Sequence, residues 1–183
     1  MHAMQDEAGA SLTAAHDTPS SPAPVPTGGR RRLYVVLLGL AALVLVLDQA
    51  TKVWALAALT PGEAVELVGS MIKLNLIRNP GAAFSIGNGS TWVLTAVSLG
   101  ILVWVVVGAR KVGNMPWAVA LGLLLGGAVG NLIDRAAEGA VTDFVDVSIW
   151  PAFNLADTAI TIGVLSLLYV LEGPPSRADR RPE

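Results

Sequence analysis

The sequence predicts a mainly α membrane protein: a bundle of four transmembrane helices with a small extracytoplasmic β segment and both termini in the cytoplasm. Three observations predict it. The 183 residues are 53% hydrophobic and 14% charged, with a mean hydropathy of +0.60, too apolar for a soluble domain of this size. Four separate apolar runs approach or reach the length that a bilayer core demands. The basic residues divide unevenly between the connecting segments, which fixes an orientation.

The same composition removes several classes of function. There is no cysteine, so disulfides, zinc–thiolate sites and thiol nucleophiles are excluded. Both histidines, His2 and His16, lie in a polar N-terminal segment, which argues against a histidine base or a His-rich metal site. A net charge of −2 with no basic face points away from nucleic acid.

Residues 1–29 are rich in Ala, Ser, Thr, Pro and Gly without an apolar period, the pattern of a disordered cytoplasmic tail. They do not read as a signal peptide, because the first long apolar run starts only at Leu33. A four-helix domain over 30–172 follows, and then a Pro- and Arg-rich tail over 173–183. The first span opens with Leu33 to Leu47, whose one polar side chain is Tyr34. Asp48, Gln49, Thr51 and Lys52 interrupt it before it resumes through Leu59. At ~1.5 Å per residue Asp48 lies roughly 22 Å from Leu33, in the far third of the bilayer core. Asp48 and Lys52 are four apart and share a helix face. They read either as a self-neutralising pair or as a brace for a site, and the two are compatible.

Residues 60–90 form a connection in which Leu74 and Leu76 alternate with Lys73 and Asn75, the pattern of a short strand or two. In RNPGAAFSIGNGS, Pro80-Gly81 signals a turn and Ala82-Ala83 leaves room for a close approach. Thr91 to Gly108 is the second span, closed by Arg110 and Lys111. Pro116 to Ile133 is the third, with Pro116 at a helix start. Its Gly122, Gly126, Gly127 and Gly130 give small-xxx-small steps for close helix contact, and Asn131, Asp134 and Arg135 share a face at its end. Asn154 to Leu171 is the fourth. There Asn154 is a candidate N-cap, and Asp157 falls at the third helical position, where a carboxylate gains from the helix dipole.

Eight basic residues (Arg30, Arg31, Arg32, Arg110, Lys111, Arg177, Arg180, Arg181) fall on one side of the bundle and four (Lys52, Lys73, Arg78, Arg135) on or near the other. The positive-inside rule puts the eight in the cytoplasm, and the loops 60–90 and 134–153 outside. The polar residues of interest converge on that outer face. Without histidine or cysteine, two hydrolytic schemes remain. One is a Ser/Lys pair, Ser85 with Lys52 or Lys73. The other is a pair of carboxylates, Asp143 and Asp157, of which one keeps a proton while the other acts as base on a water. They are fourteen positions apart with Pro151 as a turn between them, a spacing that permits them to meet. An ion-coupled transporter is the rival from another class, since charges in membrane helices often mark ion paths; four spans without an inverted repeat argue against it. A glycine-packed membrane scaffold is the third reading.

Five blocks in order, DQATK (48–52), RNPGAAFS (78–85), GGAVGNLIDR (126–135), VTDFVD (141–146) and FNLADTAI (153–160), resemble lipoprotein signal peptidase, the type II signal peptidase family, and span essentially all of residues 33–171. The resemblance implies a multi-pass aspartic endopeptidase of the bacterial cytoplasmic (inner) membrane, with its active site on the extracytoplasmic side. It would act as a monomer, in contact with membrane lipid, on a prolipoprotein. It would cut the signal peptide just before a cysteine that carries diacylglycerol, and it implies no metal and no cofactor. Asp143 and Asp157 resemble the catalytic dyad, with Asn154 orienting it. Asn131, Arg135, Asn79, Asp48 and Lys52 resemble the family's polar surround. Asp134 reads as structural, and Asp146 has no clear role. The chain departs from the family in its long N-terminal extension and in the short link from Asp146 to Asn154, which implies a smaller lid.

Overall fold

Helices supply the frame, and a meander of short strands rides on one end of it. The computed structural model describes residues 27–80 and 90–172. Most of the segment read as an N-terminal tail, the C-terminal tail, the Ala82-Ala83 pair and Ser85 lie outside the described residues. The elements run α1 (Thr27–Ala58), β1 (Val65–Val68), β2 (Ile72–Asn79), α2 (Ser90–Ala109), α3 (Met115–Glu138), β3 (Val141–Val147), β4 (Trp150–Phe153) and α4 (Leu155–Glu172). Helix α1 starts at Thr27, so the last three residues assigned to the tail are helical. Among the described residues three stretches are long and apolar enough to cross a membrane: Gly29–Ala58, Met115–Glu138 and Leu155–Glu172. Helix α2 adds a shorter apolar stretch, Thr95–Ala109.

Helix α3 is the centre of the bundle. Asn114 caps it by accepting from the Trp117 N–H at 3.0 Å, with proline in the first turn as expected. The glycines let its neighbours close in. A Cβ on Gly122 or Gly126 would lie 2.8 or 2.6 Å from the Leu37 or Ala41 carbonyl of α1, and one on Gly127 would lie 2.5 Å from the Ala156 carbonyl of α4. No side chain fits at such separations, so backbone packs on backbone. The helix does not stop at its polar triplet but runs on to Glu138. Asn131 and Asp134 face inward to other polar groups, and the helix closes at Gly139, left-handed at φ 71°, whose N–H donates to the Arg135 carbonyl at 3.0 Å.

Two apolar clusters bracket that polar region. Leu33, Leu37, Val105, Val112, Ala118, Leu121 and Leu124 fill one end of the bundle. At this end Arg30 donates to the Arg110 backbone carbonyl at 2.8 Å, which ties the start of α1 to the end of α2. At the other end Ala55 and Leu59 of α1 pack on Leu76 and Phe144 of the sheet, where Trp54 meets Phe144 edge to face. The sheet is antiparallel in the order β1-β2-β3-β4. Its β1 and β2 are the strands expected in 60–90. Strands β3 and β4 correct the reading of 141–153: the reversal comes at Ser148-Ile149, where Val147 pairs with Trp150. Pro151 is not the turn but lies within β4, an edge strand, where a missing N–H costs no ladder bond.

Candidate functional site

Strand β3 and the first turn of α4 carry the two aspartates to the same place. Asn154 closes α4 with a reciprocal cap: its Oδ1 accepts from the Asp157 N–H at 3.0 Å, and Asp157 Oδ2 accepts from the Asn154 N–H at 3.2 Å. Because that Oδ1 is an acceptor, the amide nitrogen must point the other way. It donates to Asp143 Oδ1 at 2.8 Å. One fully buried residue thus ties both carboxylates, Asp143 through its side-chain amide and Asp157 through its backbone N–H.

The remaining oxygens are filled by two more amides. Asn79 Nδ2 donates to Asp143 Oδ2 at 2.8 Å. In the β2–β3 register Ile77 lies opposite Asp143 and Asn79 opposite Val141, so Asn79 reaches it on the diagonal. Asn131 Nδ2 donates to Asp157 Oδ1 at 2.7 Å. Its own Oδ1 is fixed as an acceptor by Lys52 Nζ and Asn154 Nδ2, each at 3.1 Å. Every carboxylate oxygen therefore holds one amide donor and keeps a second lone pair for a water or a substrate. Burial pushes the Asp143 carboxyl up to about 6; the hydrogen bond from Asn79 opposes this, the negative charge of Asp157 adds to it, and Asn154 and Lys52 oppose it.

Below this layer lies the ion cluster. Lys52 Nζ meets Asp48 Oδ2 at 2.8 Å and Asp134 Oδ2 at 3.0 Å. The Asp48–Lys52 pair is an ion pair within one helix face, and Asp48 Oδ1 also accepts from the Ala156 N–H at 2.9 Å at the start of α4. Asp134 is structural, accepting from the Thr142 N–H at 3.0 Å and so fixing the start of β3. Lys52 spends its three N–H donors on Asp48, Asp134 and Asn131, which leaves it ill placed to serve a serine as base. Lys73 lies across from Asp146 in the sheet, and Asp146 accepts from Asn75, away from the carboxylates. Arg135 sits at the margin. It donates to Ser98 Oγ at 3.2 Å and the Asn131 carbonyl at 3.4 Å, and these bonds do not reach either carboxylate.

Sequence reasoning missed two residues. Gln49 donates to Asp48, to the Gly130 carbonyl and to Asp134. Thr142 accepts from Arg78 through its hydroxyl and from Asn154 through its carbonyl. Gln49 stood inside the DQATK block and Thr142 inside VTDFVD, which was the only signal for either. Among the described residues no three acidic or histidine side chains gather as a metal cluster. A cavity of about 320 Å³ opens on Asp157, walled by Trp150, Phe153, Thr158, Thr161 and Ile162.

The family model for signal peptidase II matches residues 40–172, which include every residue of this network. The chain belongs to the signal peptidase II family. Lipoprotein signal peptidase of Rhodococcus jostii is 45% identical over 159 residues, covering 83% of this chain and 79% of that protein. The namesake of Mycolicibacterium smegmatis is 42% identical over 171 residues, 90% and 72% of the two chains. A solved bacterial membrane enzyme shares 30% identity at a TM-score of 0.67, over 86% of this chain and 95% of its own. The signal peptidase II chain is accordingly a membrane-embedded hydrolase of the aspartic peptidase class.

Proposed function

We propose that the chain removes signal peptides from prolipoproteins by cutting before the diacylglyceryl-modified cysteine, with Asp143 and Asp157 activating a water. The observation that carries this reading is Asn154, whose side-chain amide donates to Asp143 while its side-chain oxygen accepts from the Asp157 N–H and its own N–H donates to the Asp157 carboxylate. Two carboxylates joined through one residue, with the charge of Asp157 acting on Asp143, share a proton more readily than both ionise. The ionised one takes a proton from water as it attacks the scissile carbonyl, and the protonated one donates to the departing amine. The pair titrates as a unit. Arg135, whose charge interacts with both aspartates, is the cation best disposed to steady the oxyanion. The aspartates, Asn154, Asn131, Asn79, Asp48 and Lys52 form the working site.

The topology that goes with this chemistry has four spans, α2 being the fourth, with both termini in the cytoplasm of the bacterial cytoplasmic membrane. The dyad then faces the outer leaflet, where the cleavage site of a signal peptide emerges, and the enzyme works as a monomer. The test is prolipoprotein processing in membranes by Asp143→Asn and Asp157→Asn. Each variant loses roughly 10²–10⁴ of the rate, while Ser85→Ala retains it. Normal processing by both aspartate variants would end the scheme, and a dead Ser85→Ala would favour the Ser/Lys pair.

A further inference from the structure

Apart from Trp150, which walls the cavity on Asp157, the far end of the sheet has no part in the peptidase site. There the β1–β2 turn, left-handed at Gly69, and the β3–β4 turn lie side by side. Ser148 N–H donates to the Met71 carbonyl at 3.2 Å, and the Ser148 hydroxyl bonds the Ser70 carbonyl. Leu67, Val68, Met71, Ile149 and Trp150 project from this double turn, and they are not covered: Ile149 is 91% exposed, Met71 67% and Trp150 68%. A charged rung, Glu66 opposite Lys73 opposite Asp146, crosses three strands just behind them. Beyond it neither turn carries a charge, through Leu67–Ile72 or through Val147–Phe153.

We propose that this double turn is an interfacial anchor that dips into the phospholipid layer beside α4. Three observations favour lipid as the occupant. Trp150 shares a cavity wall with Thr161 and Ile162, so the turn lies alongside a helix whose exposed face, Ile162, Leu165, Leu168 and Tyr169, is apolar and long enough for a membrane. The tip is thus continuous with the apolar belt of the bundle. The Val68, Ser70 and Met71 carbonyls are already bonded, from Met71 N–H and from Ser148, so these groups do not go unpaired when water leaves. Tryptophan at such a boundary has an apolar ring for the chains and an N–H for the headgroups. Because β2 and β3 lead straight from the tip to Asn79 and Asp143, anchoring it fixes the height of the site over the bilayer. The inference does not depend on the peptidase reading.

The absence of native cysteine makes the test clean. The full chain carrying Ile149→Cys, or separately Met71→Cys, is labelled with an environment-sensitive fluorophore and reconstituted at low density in phosphatidylcholine vesicles. Glu63→Cys, on the exposed turn before β1, is the reference. Both tip labels should emit blue-shifted light, be quenched by nitroxides on the acyl chains and resist aqueous iodide, with the reference label showing the reverse. Adding anionic lipid should change nothing, since no basic group lies at the tip. Iodide quenching of the tip labels equal to the reference would overturn the proposal. So would shielding from both quenchers, which would mean that protein covers the tip.

Discussion

Asn154 serves two structures through two ends of one amide, and the two can be separated. Its oxygen caps α4 and its nitrogen holds Asp143. Serine caps a helix about as well as asparagine but has no amide donor to offer Asp143. Asn154→Ser should therefore keep most of the stability in detergent yet lose most of its activity. Asn154→Ala should lose the activity and about 1 kcal/mol more stability than the serine variant, read from denaturation midpoints. Asn79 offers the matching test of charge. Its hydrogen bond opposes the burial that holds Asp143 up to about 6, so Asn79→Ala raises that carboxyl further, by up to about one unit. A raised acid is protonated in the fold where the unfolded chain has released its proton, so stability falls as pH rises from the ordinary carboxylate range through about 6; in Asn79→Ala this window extends upward. In the pH–rate profile of the coupled pair at least one limb moves to higher pH. A larger move of the alkaline limb means that Asp143 carries more of the shared proton, a larger move of the acid limb that Asp157 does, and a profile that stays fixed removes Asp143 from the titrating pair.

The helices were legible because each is an apolar run bounded by charge, glycine or proline, and their close packing was legible in the glycines of α3. A matched pair of substitutions tests that packing. Gly127→Ala would drive a methyl to 2.5 Å from the Ala156 carbonyl, one residue before Asp157. It should cost about 1–3 kcal/mol and lower the turnover number as the start of α4 shifts. Gly39→Ala, in the middle of α1 with nothing within 4 Å, should stabilise by about 0.5–1 kcal/mol and leave turnover unchanged. Equal effects of the two on melting and rate would refute the packing account. The strands β3 and β4 were harder to read, for a physical reason. Residues Val141 to Phe144 are all buried, because the strand lies between the bundle and the rest of the sheet, so the alternation that marks a half-exposed strand is missing. Pro151 looked like a turn because proline suits few strand positions, and an edge strand is one of those few.

Across the whole molecule, the site depends on a buried charge cluster that joins elements far apart in the chain. Asp48 and Lys52 come from α1 and Asp134 from α3. Through Ala156, Thr142 and Asn131 the cluster fixes the start of α4, the start of β3 and one side of Asp157. Spacing told that Asp48 and Lys52 share a helix face, but nothing local to α1 told that Lys52 would find a second carboxylate more than eighty residues on. Likewise a gap of fourteen positions allowed the dyad without requiring it; the ordered blocks, not the spacing, pointed to the pair. The cluster holds two carboxylates against one ammonium, all buried. Removing the cation by Lys52→Met leaves both acids without a counter-charge, a loss of about 3–5 kcal/mol. If repulsion between unpaired acids is the cause, Asp134→Asn in the Lys52→Met background should restore part of that loss, with a coupling of about 0.5–3 kcal/mol, although Asp134→Asn alone destabilises. Activity should not return with stability, since Asn131 has lost the Lys52 donor that orients it toward Asp157. Additive losses in the double variant would mean that the three charges do not act as one unit. Recovery of activity along with stability would mean that the cluster supports the fold and not the orientation of the dyad.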